Sequence, residues 1–179
     1  MKKTTETQSH NNEVVVTFLN LLLADEYVLY TKTRTAHWNI DGSNYFELHV
    51  FLENQYNTLD IMIDEIAEQI RSLGHYALGS LKDFLSIAQM SDDNHSFNKS
   101  GEIFETLRND HETIIGILQH EIQSVSTKLN DMNTAAFLTG LMEQHKKMNW
   151  MLRFLSSNPE YSMSNQILTN SSQLMDGQD

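Results

Sequence analysis

Two histidines and a row of carboxylates recur at fixed intervals between His37 and Glu68. His49 and Glu53 stand four residues apart, as do Asp64 and Glu68. On a helix, such a pair offers two ligand atoms to one ion. Imidazole mixed with carboxylate suits iron or zinc better than calcium. At about 100° per residue, His49, Glu53, Asp60, Asp64 and Glu68 fall within an arc of about 100°. His37 stands just before this stripe, across a turn centred on Asp41-Gly42. A carboxylate stripe is more often a solvated face, but this one also carries Phe46 and Tyr56.

The two pairs cannot serve one ion within one helix. Their midpoints are fifteen residues apart, roughly 22 Å at 1.5 Å per residue. Metal–ligand bonds are about 2.0–2.2 Å. Two copies packed antiparallel about a two-fold axis would bring the His49/Glu53 end of one chain to the Asp64/Glu68 end of the other. An isologous contact repeats itself, so such a dimer would hold two equivalent sites.

The elements that must position these residues are helical. Phe46, Val50, Phe51, Leu59, Ile63, Ile66 and Ile70 have helical spacing across 44–73. Asn44 and Glu47 resemble a capping box, and Gly74 ends the run. A first long helix is expected over about 12–38, with Val15, Leu19, Leu22 and Leu29 inward. A third covers about 100–129, with Phe104, Leu107, His111, Ile114 and Leu118 on its seam. A fourth covers about 133–156, with Leu138, Leu141, His145, Met148 and Leu152 inward. His111 reads as a satisfied core or interface histidine. The long connection after Gly74 needs a short helix over 80–90, capped by Ser80. Asp92 and His95 beyond it read as polar loop. The fold class is therefore all-α: a four-helix bundle with a short extra helix in the crossing connection, a ferritin-like topology. Residues 1–11 and 158–179 read as flexible tails around a domain over 12–157, and Pro159 stops the last helix.

Composition narrows the chemistry. The 179 residues include no cysteine, which excludes disulfides and iron–sulfur clusters and fits a reducing cytoplasm. The first residues lack the apolar core of a signal peptide. Val14 to Leu23 is too short to span a bilayer, so no membrane partner is expected. A net charge of −12 opposes nucleic-acid phosphates and attracts cations. No glutamate is followed three residues later by histidine, so the Glu-x-x-His motif of di-iron sites inside one bundle is missing. Glu143 and His145 point to different faces. No zincin motif, phosphate loop or nucleophile elbow is present.

The stretches His37-Trp38-Asn39-Ile40, Phe46-Glu47-Leu48-His49, Phe51-Leu52-Glu53 and Asp64-Glu65-Ile66-Ala67-Glu68 with Leu73-Gly74 resemble the Dps family of mini-ferritins. The likeness continues through Leu78-Gly79-Ser80-Leu81 and Phe84-Leu85 to Glu143-Gln144-His145 and Trp150-Met151-Leu152. It covers about 12–155. It implies a dodecameric shell whose sites lie at two-fold interfaces. His37, His49 and Glu53 would come from one subunit, with Asp64 and Glu68 from its partner. It further implies oxidation of Fe(II), by hydrogen peroxide in preference to oxygen, and storage of ferric mineral. Zinc or another divalent ion could take the iron's place. Trp38, beside a ligand, could quench a stray oxidising equivalent, although packing alone would explain it.

Two departures accompany the resemblance. Family members often have an aspartate lining the three-fold pore where this chain has Ala136, and Asp131 is the nearest substitute. The DNA-binding members often carry lysine-rich tails, whereas Lys2 and Lys3 are the only basic residues in these two tails, apart from His10. Twelve copies would carry twelve times −12, near −144. Direct DNA binding is therefore disfavoured. The alternatives are a DNA-compacting protein of the same fold and a purely structural helical assembly. The latter must bury unpaired carboxylates at a cost.

Overall fold

The structure, a computed structural model, describes residues 2–42, 44–92 and 100–157, with backbone only for 2–10 and 100. Its helices are α1 (Lys2–Asn39), α2 (Tyr45–Ser72), α3 (Leu81–Ile87), α4 (Ser100–Ser124) and α5 (Met132–Ser156). A π-helical turn, Val125–Leu129, extends α4. Among the described residues there is no strand. The fold is the all-α, ferritin-like bundle with its short extra helix.

Pair contacts give the topology. His37 meets His49, and Tyr30 meets Tyr56, so α1 and α2 are antiparallel. Lys32 meets Asp110, and Asn11 reaches the Leu129 carbonyl, so α4 also runs against α1. Hence α2 and α4 are parallel, and the segment between them must cross the bundle. Side chains of α1 stitch that segment down. Asn20 accepts from the Leu78 N–H. Asp25 accepts from the N–H groups of Gln89 and Met90, at 2.7 and 2.9 Å. Phe84 of α3 is buried and stacks on Tyr27 at 4.3 Å.

The core is a continuous aliphatic layer that includes Leu19, Leu22, Leu29, Leu52, Leu59, Met62, Ile66, Ile114, Leu118, Leu138 and Leu152. It consumes the inward face of α1, which accounts for the high hydropathy of that helix. By length and composition the stretch 11–39 could cross a membrane, but 56% of its most apolar window is buried within the bundle.

Two local expectations need correction. The first helix begins at Lys2 rather than near Asn12. Residues 2–11 contain neither proline nor glycine, so nothing in them stops helix propagation. Asn44 precedes α2 but makes no side-chain capping bond; its φ and ψ of −104° and 29° are not those of a capping residue. The Asp131 carboxylate caps α5, accepting from Thr134 N at 3.1 Å and Thr134 Oγ1 at 2.5 Å. Ser80 does cap α3 through the Asp83 N–H. His95 and the tail after Ser157 lie outside the described residues.

Candidate metal centre

His37 occupies the last turn of α1 and His49 the second turn of α2. The turn between them is tight because Asp41 Oδ1 accepts from the Gly42 N–H, and Gly42 takes a φ of +121° that favours glycine. The two imidazoles stack with ring centres 3.7 Å apart. Each ring is held by the other residue's backbone. His37 Nδ1 lies 2.9 Å from the His49 carbonyl, and His49 Nδ1 lies 3.0 Å from the His37 carbonyl. A carbonyl only accepts, so both Nδ1 atoms must carry hydrogen. In the neutral rings, both Nε2 atoms therefore keep a lone pair for a metal. The His49 ring also satisfies a carbonyl at the C-terminal end of α1, which helix geometry leaves open.

The surroundings are aromatic. Tyr45 stacks on His49 at 5.0 Å, and Tyr56 meets His37 edge-on at 5.2 Å. His37 is buried and His49 half-buried. Glu53, Asp60, Asp64 and Glu68 are all exposed along α2. Among the described residues of one chain, no three His, Asp or Glu side chains gather around a point that could hold a metal. Along the same helix Phe46 is exposed at 74% and Ile61 at 60%, and at the end of α1 Trp38 is exposed at 63%. Large apolar side chains beside carboxylates, left uncovered by the chain's own fold, describe a surface suited to a partner.

A second polar centre lies inside the bundle, and the sequence reading found only part of it. Glu26, His145 and His111 are all essentially inaccessible to solvent. His145 Nε2 lies 2.7 Å from Glu26 Oε1, and the Nδ1 atoms of the two histidines are 2.9 Å apart. Burial, and then the neighbouring His145, push the His111 pKa well below its ordinary value. The sequence places His111 and His145 on helix seams. Glu26 stands four residues after Leu22 and three before Leu29, both buried. That spacing on an apolar face was the available signal. Asp25, next to it, has a raised pKa, because burial outweighs its two backbone hydrogen bonds. Glu143, by contrast, is exposed, on a different face from His145.

The chain is similar in sequence and fold to known proteins. A ferritin-like domain profile matches residues 16–159. A low-temperature-induced protein of Nostoc sp., itself uncharacterised, is 38% identical over 81% of this chain and 82% of its own length. DNA protection during starvation protein 2 of Bacillus anthracis is 30% identical over 79% of this chain and 96% of its own length. Among solved structures, the Dps protein of Vibrio cholerae O1 superposes with a TM-score of 0.76 at 28% identity, covering 81% of this chain and 90% of that one. That protein is described as belonging to a broad superfamily of ferritin-like diiron-carboxylate proteins.

Proposed function

Because the chain belongs to the ferritin-like family, and within it to the Dps proteins, we propose that it is a ferroxidase that oxidises Fe(II) with hydrogen peroxide and stores the ferric product. The observation that carries this reading is the reciprocal pairing of His37 and His49. It fixes both rings with the Nε2 lone pairs available, as two cooperating imidazole ligands require. His37, His49 and Glu53 of one subunit would hold the iron with Asp64 and Glu68 of the partner. Imidazole retains Fe(II), and hard carboxylate oxygens favour the ferric product. The exposed Trp38, Phe46 and Ile61 would be covered at the same two-fold interface. The assembly would be a soluble, cytoplasmic dodecamer, its cavity holding the mineral.

Zinc would occupy the same donors without redox chemistry and so inhibit. The relatives named for DNA protection support a second reading, in which the shell binds DNA directly. A net charge of −12 per chain works against that contact. Removal of iron and peroxide protects DNA without touching it. Anaerobic Fe(II) oxidation on addition of hydrogen peroxide tests the proposal. Fast formation of soluble ferric product by the natural chain, lost in His49→Ala plus Asp64→Ala, is expected. Equal rates in both would remove the site. A gel shift at low salt, with and without magnesium, would reveal the DNA-binding alternative.

A further inference from the structure

We propose that Arg34 confines oxidation to the iron by holding a permanent positive charge over the aromatic rings that border the histidine pair. This rests on the ferroxidase reading. Arg34 lies one turn before His37 on α1. Its guanidinium carbon stands 5.7 Å from the ring centre of Tyr30, 5.5 Å from that of Trp38 and 5.4 Å from that of Tyr56. Its Nη1 donates to Tyr30 Oη. Tyr56 touches His37, and it meets Tyr30 at 6.0 Å. From Tyr30, contacts continue to Tyr27 at 6.4 Å and on to Phe84 in the core. An oxidisable ring thus stands against an imidazole ligand, at the head of a row of rings leading inward.

The productive reaction takes both electrons from iron: 2 Fe(II) + H2O2 + 2 H+ gives 2 Fe(III) + 2 H2O. When one Fe(II) meets peroxide alone, the second electron must come from elsewhere. A ring RH can supply it: Fe(II) + H2O2 + RH gives Fe(III) + OH− + H2O + R•, with the proton leaving the indole N–H or phenol O–H. Loss of the electron first makes a ring cation. Arg34 would face that new cation across less than 6 Å, and around the half-buried Tyr56 the surroundings screen less than water. The guanidinium is attracted to the neutral ring and repelled by the oxidised one. Arginine suits the task because its charge cannot be titrated away. Trp38 is therefore guarded rather than offered as a quencher. Arg34 acts through the rings and is a positioning residue.

Arg34→Gln and Arg34→Met remove the charge, and Arg34→Lys keeps it. The first arm of the test uses the metal-free assembled protein and azide radicals, an uncharged one-electron oxidant. Oxidised residues are mapped by mass spectrometry. Trp150, an indole on α5, is the internal reference, each ring being compared with itself across the variants. Both neutral variants should raise Trp38 oxidation at least about tenfold, with Trp150 unchanged and the lysine variant close to the natural protein. The second arm adds one Fe(II) per site, then peroxide, and reads ring radicals by freeze-quench electron paramagnetic resonance. The neutral variants should show more radical at an unchanged rate of ferric formation. Equal Trp38 oxidation in the natural protein and in whichever neutral variant assembles would overturn the role of Arg34. Failure of the natural protein to form ferric product would overturn the ferroxidase reading, and the metal-free arm would still decide the role of Arg34.

Discussion

Replacing His145 by leucine removes the one hydrogen-bond partner that a buried carboxylate has among the described residues. Glu26 is 0% exposed, and its Oε1 is held by His145 Nε2 at 2.7 Å. Its Oε2 already has no hydrogen-bond partner among the described residues. In His145→Leu both oxygens would be stranded in the core, and His111 Nδ1 would lose its 2.9 Å contact. Breaking a buried pair from one side costs about 3–5 kcal/mol. At about 2–4 °C per kcal/mol for a chain of this size, the melting temperature should fall by roughly 6–20 °C. Removing the whole polar chain should behave differently. Glu26→Leu with His111→Leu and His145→Leu leaves nothing to solvate, and such replacements are often neutral or stabilising by about 1–4 kcal/mol. The assay is denaturant unfolding followed by far-ultraviolet circular dichroism at one fixed protomer concentration, because assembly contributes to apparent stability. A single variant within about 1 kcal/mol of the natural protein would refute the reasoning. So would a triple variant as unstable as the single one.

The same centre sets an acid sensitivity. The His111 pKa in the folded chain lies below its unfolded value of about 6.5, so the unfolded chain binds the proton first. This contribution to stability is complete above about pH 6.5 and falls as pH drops toward the lowered value, by at most about 1.4 kcal/mol per pH unit. Unfolding measured at stepped pH should show that loss, and His111→Leu should flatten it. Asp25→Ala should free two backbone N–H groups of the crossing segment at a cost of about 2–4 kcal/mol. Amide exchange at Gln89 and Met90 should accelerate while exchange in the middle of α2 does not; unchanged exchange at both would mean that Asp25 does not anchor the segment.

The stripe of histidine and carboxylates was legible because helical spacing carries it: His49, Glu53, Asp64 and Glu68 share a face whatever surrounds them. The bundle was legible for the same reason, down to the short helix that Ser80 caps. The exchange of hydrogen bonds between His37 and His49 was not. It depends on how closely the end of α1 approaches the start of α2, and a one-dimensional pattern does not contain that distance. Glu26 was passed over because a carboxylate on an apolar face reads as an interruption until its partners are known, and those partners come from α4 and α5. Tyr30, Arg34 and Trp38 share an i, i+4, i+8 spacing on α1, but that Tyr56 of α2 joins them depends on how the two helices pack.

The central claim, that each iron site is shared between two subunits, is tested most directly by complementation. One variant carries His37→Ala and His49→Ala, and the other Asp64→Ala and Glu68→Ala. Each assembled alone should fail to oxidise Fe(II) with peroxide. Unfolded together in equal amounts and reassembled, they form mixed dimers in half of the pairings, each with one intact site of its two. About a quarter of the natural activity should return. Mixed assemblies as inactive as their parents would contradict the shared site, as would either parent oxidising iron at the natural rate.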